Sequence, residues 1–431
     1  MSTEYTALPL IQQLQATLTD CPPYCSGVLQ VTPENLELYY GREDARFINF
    51  LKASMSNDQS AVEGLAQACE RAKFGRGGET VLDETYRKAG KMDSTNFKTG
   101  LDLENTRLLE TVRLGLLPEA TEPRVVRPEL YKLNVYTYGI PIGEGAFFKP
   151  HKDTPRSQSM FASLVVILPT PHEGGALVLR HGDEEFTFDA AALLAGRTSS
   201  IAYIAFFSDV EHEVLPVRSG HRPPHASASV VKAALAALLD EPTFLPEGGV
   251  MGFRLCHDYP FPAAWTSNMS GPLGDLEEWL KGSDAVLFAA CEALEVAPRL
   301  RLVSEGLDKE IALEEMVELD MFGEDMETVE TRLCDYSYCR TDVLRSLVFT
   351  GDTGEPWTET ETETRDEEDV REERYEKDKL TVHWITDGGN TGQVCSPYLT
   401  YGNEPSLNWL YMRVGLLVMV GPYGQRSKTE A

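Results

Sequence analysis

Between residues 131 and 217 the sequence is a succession of short apolar segments, each cut off by a turn, and this run constrains the fold more than any other feature. Tyr131, Leu133 and Val135 alternate with polar neighbours, as the side chains of a half-buried strand do. Phe147 and Phe148 lead into His151. Phe161 to Leu168 is continuously apolar and stops at Pro169, which predicts a buried strand. Ala176 to Leu179 and Glu185 to Phe188 flank His181-Gly182-Asp183, a hairpin signal. Ile201 to Phe207 predicts another buried strand, and Glu211 to Val217 follows it. Many short strands with turns between them predict a jelly roll or related barrel.

The flanks read differently. Residues 1–122 are expected to be mostly helical. Ile11, Leu14 and Leu18 lie at helical spacing, and Asn57 or Asp58 caps a helix carrying Val62, Leu65 and Cys69 that ends near Gly75. RGGETVLDETYRKAGKMD reads as a loop and turn. With the strand core at 123–225, an extension at 226–349 combines a helix at Ala226 to Leu239, a strand in EGGVMGFRLCHDYPF and a helix at Asp284 to Leu294. Residues 350–379 are polar and low in complexity, so disorder is expected there. The acidic stretch 358–378 within it reads as a solvated linker before a docking tail for a basic partner. Strands return within 380–431, at Leu380 to Ile385 and Leu410 to Val420, and are expected to pack back on the extension. The fold class is mainly β with helical flanks (α+β).

Charge narrows the partners. Lys and Arg total 39 against 68 Asp and Glu, a net charge of −29. Such a field repels phosphate backbones and anionic membrane surfaces, so neither nucleic acid nor membrane is an expected partner. No apolar run is long enough to span a bilayer, and the first residues show no signal peptide. The eight cysteines have no repeating frame, and the Cys21/Cys25 spacing has no second pair to complete a zinc site. Free thiols in a reducing compartment are the expectation, with cytoplasm as the default and nucleus as the alternative.

The chemistry concentrates in histidines. Alternation along a strand sends residues i and i+2 to one face, so a His-x-Asp pair at a strand end can aim both groups at one ion. The chain has two such pairs, His151/Asp153 and His181/Asp183. The first follows an aromatic strand. The second sits in a hairpin turn, where Gly-Asp is ordinary turn chemistry and solvation is expected. His212, several strands on, supplies a third ligand. His172 reads as a loop residue, and His221, His225, His257 and His383 as surface or satisfied core histidines without a suitably spaced carboxylate. Two imidazoles and a carboxylate leave adjacent coordination positions open, which suits non-haem Fe(II) binding a co-substrate and O2. The carboxylate of Asp153 occupies a position that a small residue would leave for halide, so hydroxylation is favoured over halogenation. A co-substrate such as 2-oxoglutarate needs a cation for its far carboxylate. Arg222, ten residues past His212, is preferred to Arg218, and Tyr138 or Tyr136 could add a hydrogen bond.

The segments YKLNVYTYG, AFFKPHKDTPR, FASLVVILP, HEGGALVLRH, FSDVEHEVLPV and SGHR resemble the fungal proteins of the prolyl 4-hydroxylase-like Fe(II)/2-oxoglutarate oxygenase superfamily. Softer likeness extends from RGGETVLDETYRKAGK to VGPYGQR, over most of the chain. The resemblance implies a double-stranded β-helix with Fe(II) at its mouth. His151, Asp153 and His212 match the metal ligands, Arg222 the 2-oxoglutarate-binding residue and Tyr138 the assisting phenol. It also implies O2 and 2-oxoglutarate as co-substrates, ascorbate as an auxiliary, and hydroxylation of an unactivated C–H bond on a protein residue or small molecule. The chain departs from the family at IPIG, residues 140–143, and at Pro223-Pro224, where a closing strand is usual. Two other readings follow from the same residues: a non-catalytic jelly-roll binding protein, and a cupin-like metal enzyme that uses no 2-oxoglutarate.

Overall fold

The strand run predicted from residue 147 onward forms two facing sheets, between which the chain crosses back and forth, while Lys132–Val135 pairs apart from them with Gly90–Asp93. In the computed structural model the described residues are 7–19, 22–56, 60–76, 79–117, 125–136, 145–157, 159–170, 172–182, 184–216, 228–262, 273–305, 310–313, 341–348, 358–359, 380–386 and 409–426. One sheet has the order Glu184–Phe188, Leu177–His181, Glu211–Val214, Phe147–His151, Arg87–Lys88. The other has Tyr24–Gln30, Ser200–Phe207, Ala162–Ile167. Every pairing in both is antiparallel. From residue 147 to 214 successive strands alternate between the sheets, apart from the predicted hairpin that joins Leu177–His181 to Glu184–Phe188. This arrangement is mostly strand, and it is consistent with a sandwich or jelly roll.

Periodicity explains the packing. Leu177, Leu179 and Phe188 turn inward from one sheet toward Ile204 and Phe206 of the other, in a common core. Ile201 to Phe207 is buried on both faces, which is why it reads as a continuous apolar run. Its second face lies under the helix Leu108–Leu116, which buries Leu108, Val112 and Leu116 at four-residue intervals. A Cβ on Gly115 of that helix would lie 2.7 Å from Cβ of Cys25, so glycine is what lets helix and strand approach. Ala162–Ile167, expected to be buried, is half-buried at the sheet's end, with Val165 exposed.

The N-terminal region departs from expectation. It holds the helices Leu8–Thr19, Phe50–Ser56, Ser60–Ala68 and Leu108–Leu116, but nine short strands lie among them. Tyr24–Gln30 pairs residue for residue with Ser200–Phe207, and Arg87–Lys88 extends the other sheet beside Phe147–His151. Pairing with strands far along the chain overrides local helical spacing here. The helix carrying Val62 and Leu65 stops at Ala68, and Phe74–Arg76 is a strand, not the helix end expected near Gly75. The segment read as a loop and turn contains three short strands, Glu79–Val81, Arg87–Lys88 and Gly90–Asp93. The capping residues Asn57 and Asp58 lie outside the described residues.

A second core is built by the C-terminal half. Gly249–Pro262, Pro298–Glu305, Glu310–Leu313, Thr341–Val348, Leu380–Thr386 and Trp409–Val420 form one sheet, in which Glu310–Leu313 also pairs with Thr341–Val348 and closes the ring. Inside it Trp384 packs with Val250, Val382 and Leu417. Outside it Met251, Phe253, Leu416 and Val418 meet the helices Ala228–Leu239 and Gly282–Glu292 and, from the other end of the chain, Leu8–Thr19. Ile11, Leu14 and Leu18 are buried there, as their spacing predicts. Of the tract expected to be disordered, Thr358–Glu359 forms a short strand against Leu347 and Val348, and the rest lies outside the described residues. No helix among the described residues is long and apolar enough to cross a membrane.

Candidate metal centre

Sheet register brings the predicted residues together. His151 ends its strand directly opposite His212, and Asp153 follows two residues later. The ring centroids of the two histidines are 4.2 Å apart, and His212 Nε2 lies 3.8 Å from Asp153 Oδ1. One ligand atom from each of the three falls within 4.8 Å of the others. All three are buried, at 5%, 6% and 6% exposure.

Hydrogen bonds fix which atoms face the centre. His151 Nδ1 is 2.8 Å from the Lys149 carbonyl, and His212 Nδ1 is 3.1 Å from that of Val210. A carbonyl only accepts, so each Nδ1 carries a proton, and each Nε2 is the atom turned toward the centre. Ser163 donates its hydroxyl to Asp153 Oδ2, which leaves Oδ1 toward His212. Phe148 stacks on His151 at 3.5 Å, and Phe206 lies against His212 at 4.7 Å. Burial, with His212 close by, holds the His151 imidazolium pKa well below the ordinary histidine value, so the ring is neutral at pH 7. Two imidazoles and a carboxylate, each oriented through its second atom, are a donor set that suits a divalent metal.

The second core braces this centre. Tyr411 donates its hydroxyl to the Asp153 carbonyl at 3.1 Å, and Lys152 pairs with Asp258 at 2.9 Å. Neither residue was singled out by the sequence, because nothing local marks a contact across so many intervening residues.

A second cluster, His181, Asp209 and His257, also has its ligand atoms within 4.8 Å. His181 belongs to the pair expected in a solvated turn, and it is instead half-buried and stacked on His257 at 4.8 Å. Its pair partner Asp183 lies outside the described residues. His257 is the satisfied core histidine expected, yet it does have a carboxylate: its Nδ1 donates to Asp209 Oδ2 at 3.1 Å. The Lys281 ammonium, 2.7 Å from Asp209 Oδ1, already supplies the cation here. Burial alone would raise the Asp209 pKa, but Lys281 and His257 hold it well below the carboxylate range. A metal ion at this cluster would meet that ammonium.

His151, Asp153 and His212 line a cavity whose wall also includes Arg87, Asn134 and Tyr136. Tyr138, Arg218, Arg222, His221, His225, residues 140–143 and Pro223-Pro224 lie outside the described residues. His172 is an exposed loop residue, as expected, and His383 sits in the second core's sheet.

No curated protein is a significant match to this chain. Residues 131–228, which contain His151, Asp153 and His212 but not His257, match the family model of the 2OG-Fe(II) oxygenase superfamily, which implies Fe(II) and 2-oxoglutarate at a centre whose His-Asp-His donors fit iron.

Proposed function

We propose that this protein is an Fe(II)- and 2-oxoglutarate-dependent dioxygenase that hydroxylates an unactivated C–H bond, with prolyl 4-hydroxylase-like chemistry. The observation that carries the reading is the convergence of His151 Nε2, His212 Nε2 and Asp153 Oδ1 within the stretch that matches the oxygenase family. The core is read as a double-stranded β-helix, because its strands alternate between two sheets with the ligands on facing neighbours.

Bound Fe(II) would supply oxygen activation coupled to conversion of 2-oxoglutarate to succinate and CO2. The chain's part is geometric. The Lys149 and Val210 carbonyls hold the imidazole tautomers, and Ser163 confines Asp153 to one coordinating oxygen. Phe148 and Phe206 keep water from the imidazole faces. Arg222 would take the far carboxylate of 2-oxoglutarate and Tyr138 would assist it. The free thiols of Cys69 and Cys291 accord with a cytoplasmic or nuclear setting. The substrate is a protein residue or a small molecule.

The test is succinate release from 2-oxoglutarate with Fe(II), O2 and ascorbate, comparing the natural chain with Asp153→Ala. The substitution is expected to abolish release. Equal release from both removes the enzyme reading and leaves the non-catalytic jelly-roll protein.

A further inference from the structure

Arg87 is a buried cation in the wall of the metal cavity, and the described residues give it no anion. Its side chain belongs to the strand beside Phe147–His151, opposite Phe148. It is 3% exposed. The guanidinium carbon sits 4.3 Å over the Phe148 ring, which also stacks on the imidazole of His151, so a single aromatic ring separates the charge from a proposed ligand. Its partners are neutral: the Lys73 carbonyl at 2.8 Å, Asn134 Oδ1 at 3.1 Å and the Tyr136 hydroxyl. Its Nε–H is buried without an acceptor among the described residues.

Burying a guanidinium against neutral acceptors leaves most of its desolvation cost uncompensated. Other cations near this core do have carboxylates: Lys281 has Asp209, and Arg180 has Glu185 and Glu213. Arg301 and Arg426, also buried, bond to backbone carbonyls in the second core and do not line this cavity. Arg127, Arg156 and Arg197 line it but are exposed. Arg87 therefore combines three properties: burial, an open donor and a place in the cavity wall beside His151.

We propose that Arg87, with the Tyr136 hydroxyl, is a carboxylate-binding site of the metal cavity, and that a small carboxylic acid completes it. The ligand chemistry is a carboxylate accepting charge-assisted hydrogen bonds from a planar donor fork. Two acids can bring it: the co-substrate, through its far carboxylate, or a second acid bound alongside, as a carboxylate-bearing substrate would be. Only the choice between these owners rests on the oxygenase reading. The binding itself is measured without turnover.

The experiment is calorimetric titration of the full chain loaded with Mn(II), natural and Arg87→Gln, with 2-oxoglutarate, with 2-oxobutyrate, which lacks the far carboxylate, and with glutarate added after saturating 2-oxoglutarate. If Arg87 takes the co-substrate, the substitution weakens 2-oxoglutarate about tenfold and leaves 2-oxobutyrate unchanged. If it takes a second acid, 2-oxoglutarate is unchanged and glutarate weakens about tenfold. Arg87→Lys, which keeps the charge and loses the fork, should reproduce most of the loss. Should Arg87→Gln fail to fold, Arg87→Lys and the natural chain carry the test: glutarate at constant ionic strength should raise the melting temperature of the metal-free natural chain more than that of Arg87→Lys. Equal affinities for all three acids in natural and substituted chains, or no thermal effect of glutarate on the natural chain, overturn the proposal. A chain that releases no succinate would still show these affinity changes, so the two readings stand or fall separately.

Discussion

Replacing Lys281 by methionine tests how the two cores are joined. The ammonium and the Asp209 carboxylate are 1% and 3% exposed and 2.7 Å apart, and Lys281 also donates to the Asp258 carbonyl at 2.8 Å. In Lys281→Met the carboxylate stays buried with two N–H donors, from His257 Nδ1 and the Asp258 backbone. Stranding one member of a buried pair costs about 3–5 kcal/mol, and the two remaining donors put this case at the lower end, about 3 kcal/mol. Asp209→Asn should cost a similar amount by stranding the ammonium. The double variant leaves no uncompensated charge, so its loss should be about 1 kcal/mol, far below the sum of the single losses. Urea unfolding of the metal-free chain at pH 7, followed by tryptophan fluorescence, measures all three. Additive losses, or a Lys281→Met loss below about 1 kcal/mol, would refute the coupling. The carbonyl of Val210, next to Asp209, orients His212, so Co(II) affinity should fall in the single variants too.

Two further outcomes are expected. Burial and the neighbouring His257 lower the His181 pKa to about 4, while the unfolded chain takes that proton near 6.5. Stability should therefore fall by a few kcal/mol as pH drops from about 6.5 to about 4, and His181→Gln should flatten that part of a pH series of urea unfolding curves. Ser163→Ala removes the donor on Asp153 Oδ2 and should weaken Co(II) binding about tenfold with little change in melting temperature, as read by metal titration and a thermal scan; unchanged affinity would remove Ser163 from the ligand-holding role.

Much of the metal centre was legible because its signals are local. The His-x-Asp pair stands at a strand end, and apolar runs broken by Pro169 and by the turn at Gly182 mark the strands that bring His212 opposite His151. What stayed hidden depends on distant pairing. Tyr24–Gln30 is a strand because Ser200–Phe207 is there to pair with it. Arg87 gains meaning only when its strand falls beside Phe148. Asp209, His257 and Lys281 are unremarkable in sequence and become one buried network when the second core folds against the first. The hairpin at His181 was recognised, but its burial was not, because the covering residue arrives from His257.

The helix Leu8–Thr19 lies in the C-terminal core, while Tyr24–Gln30, a few residues later, lies in the sheet that faces the strands of His151 and His212. One short stretch of backbone thus stitches the halves together from the amino end, and Tyr411 and Lys281 fasten them from the other. Trimming the chain to begin after residue 22 would spare every proposed iron ligand and still uncover Val231, Leu235 and Leu238, which the lost helix shields. Excising residues 131–228 for study by themselves would strip Tyr24–Gln30 from the edge of Ser200–Phe207 and the Tyr411 hydroxyl from Asp153, so the matched segment has to be handled together with its distant partners.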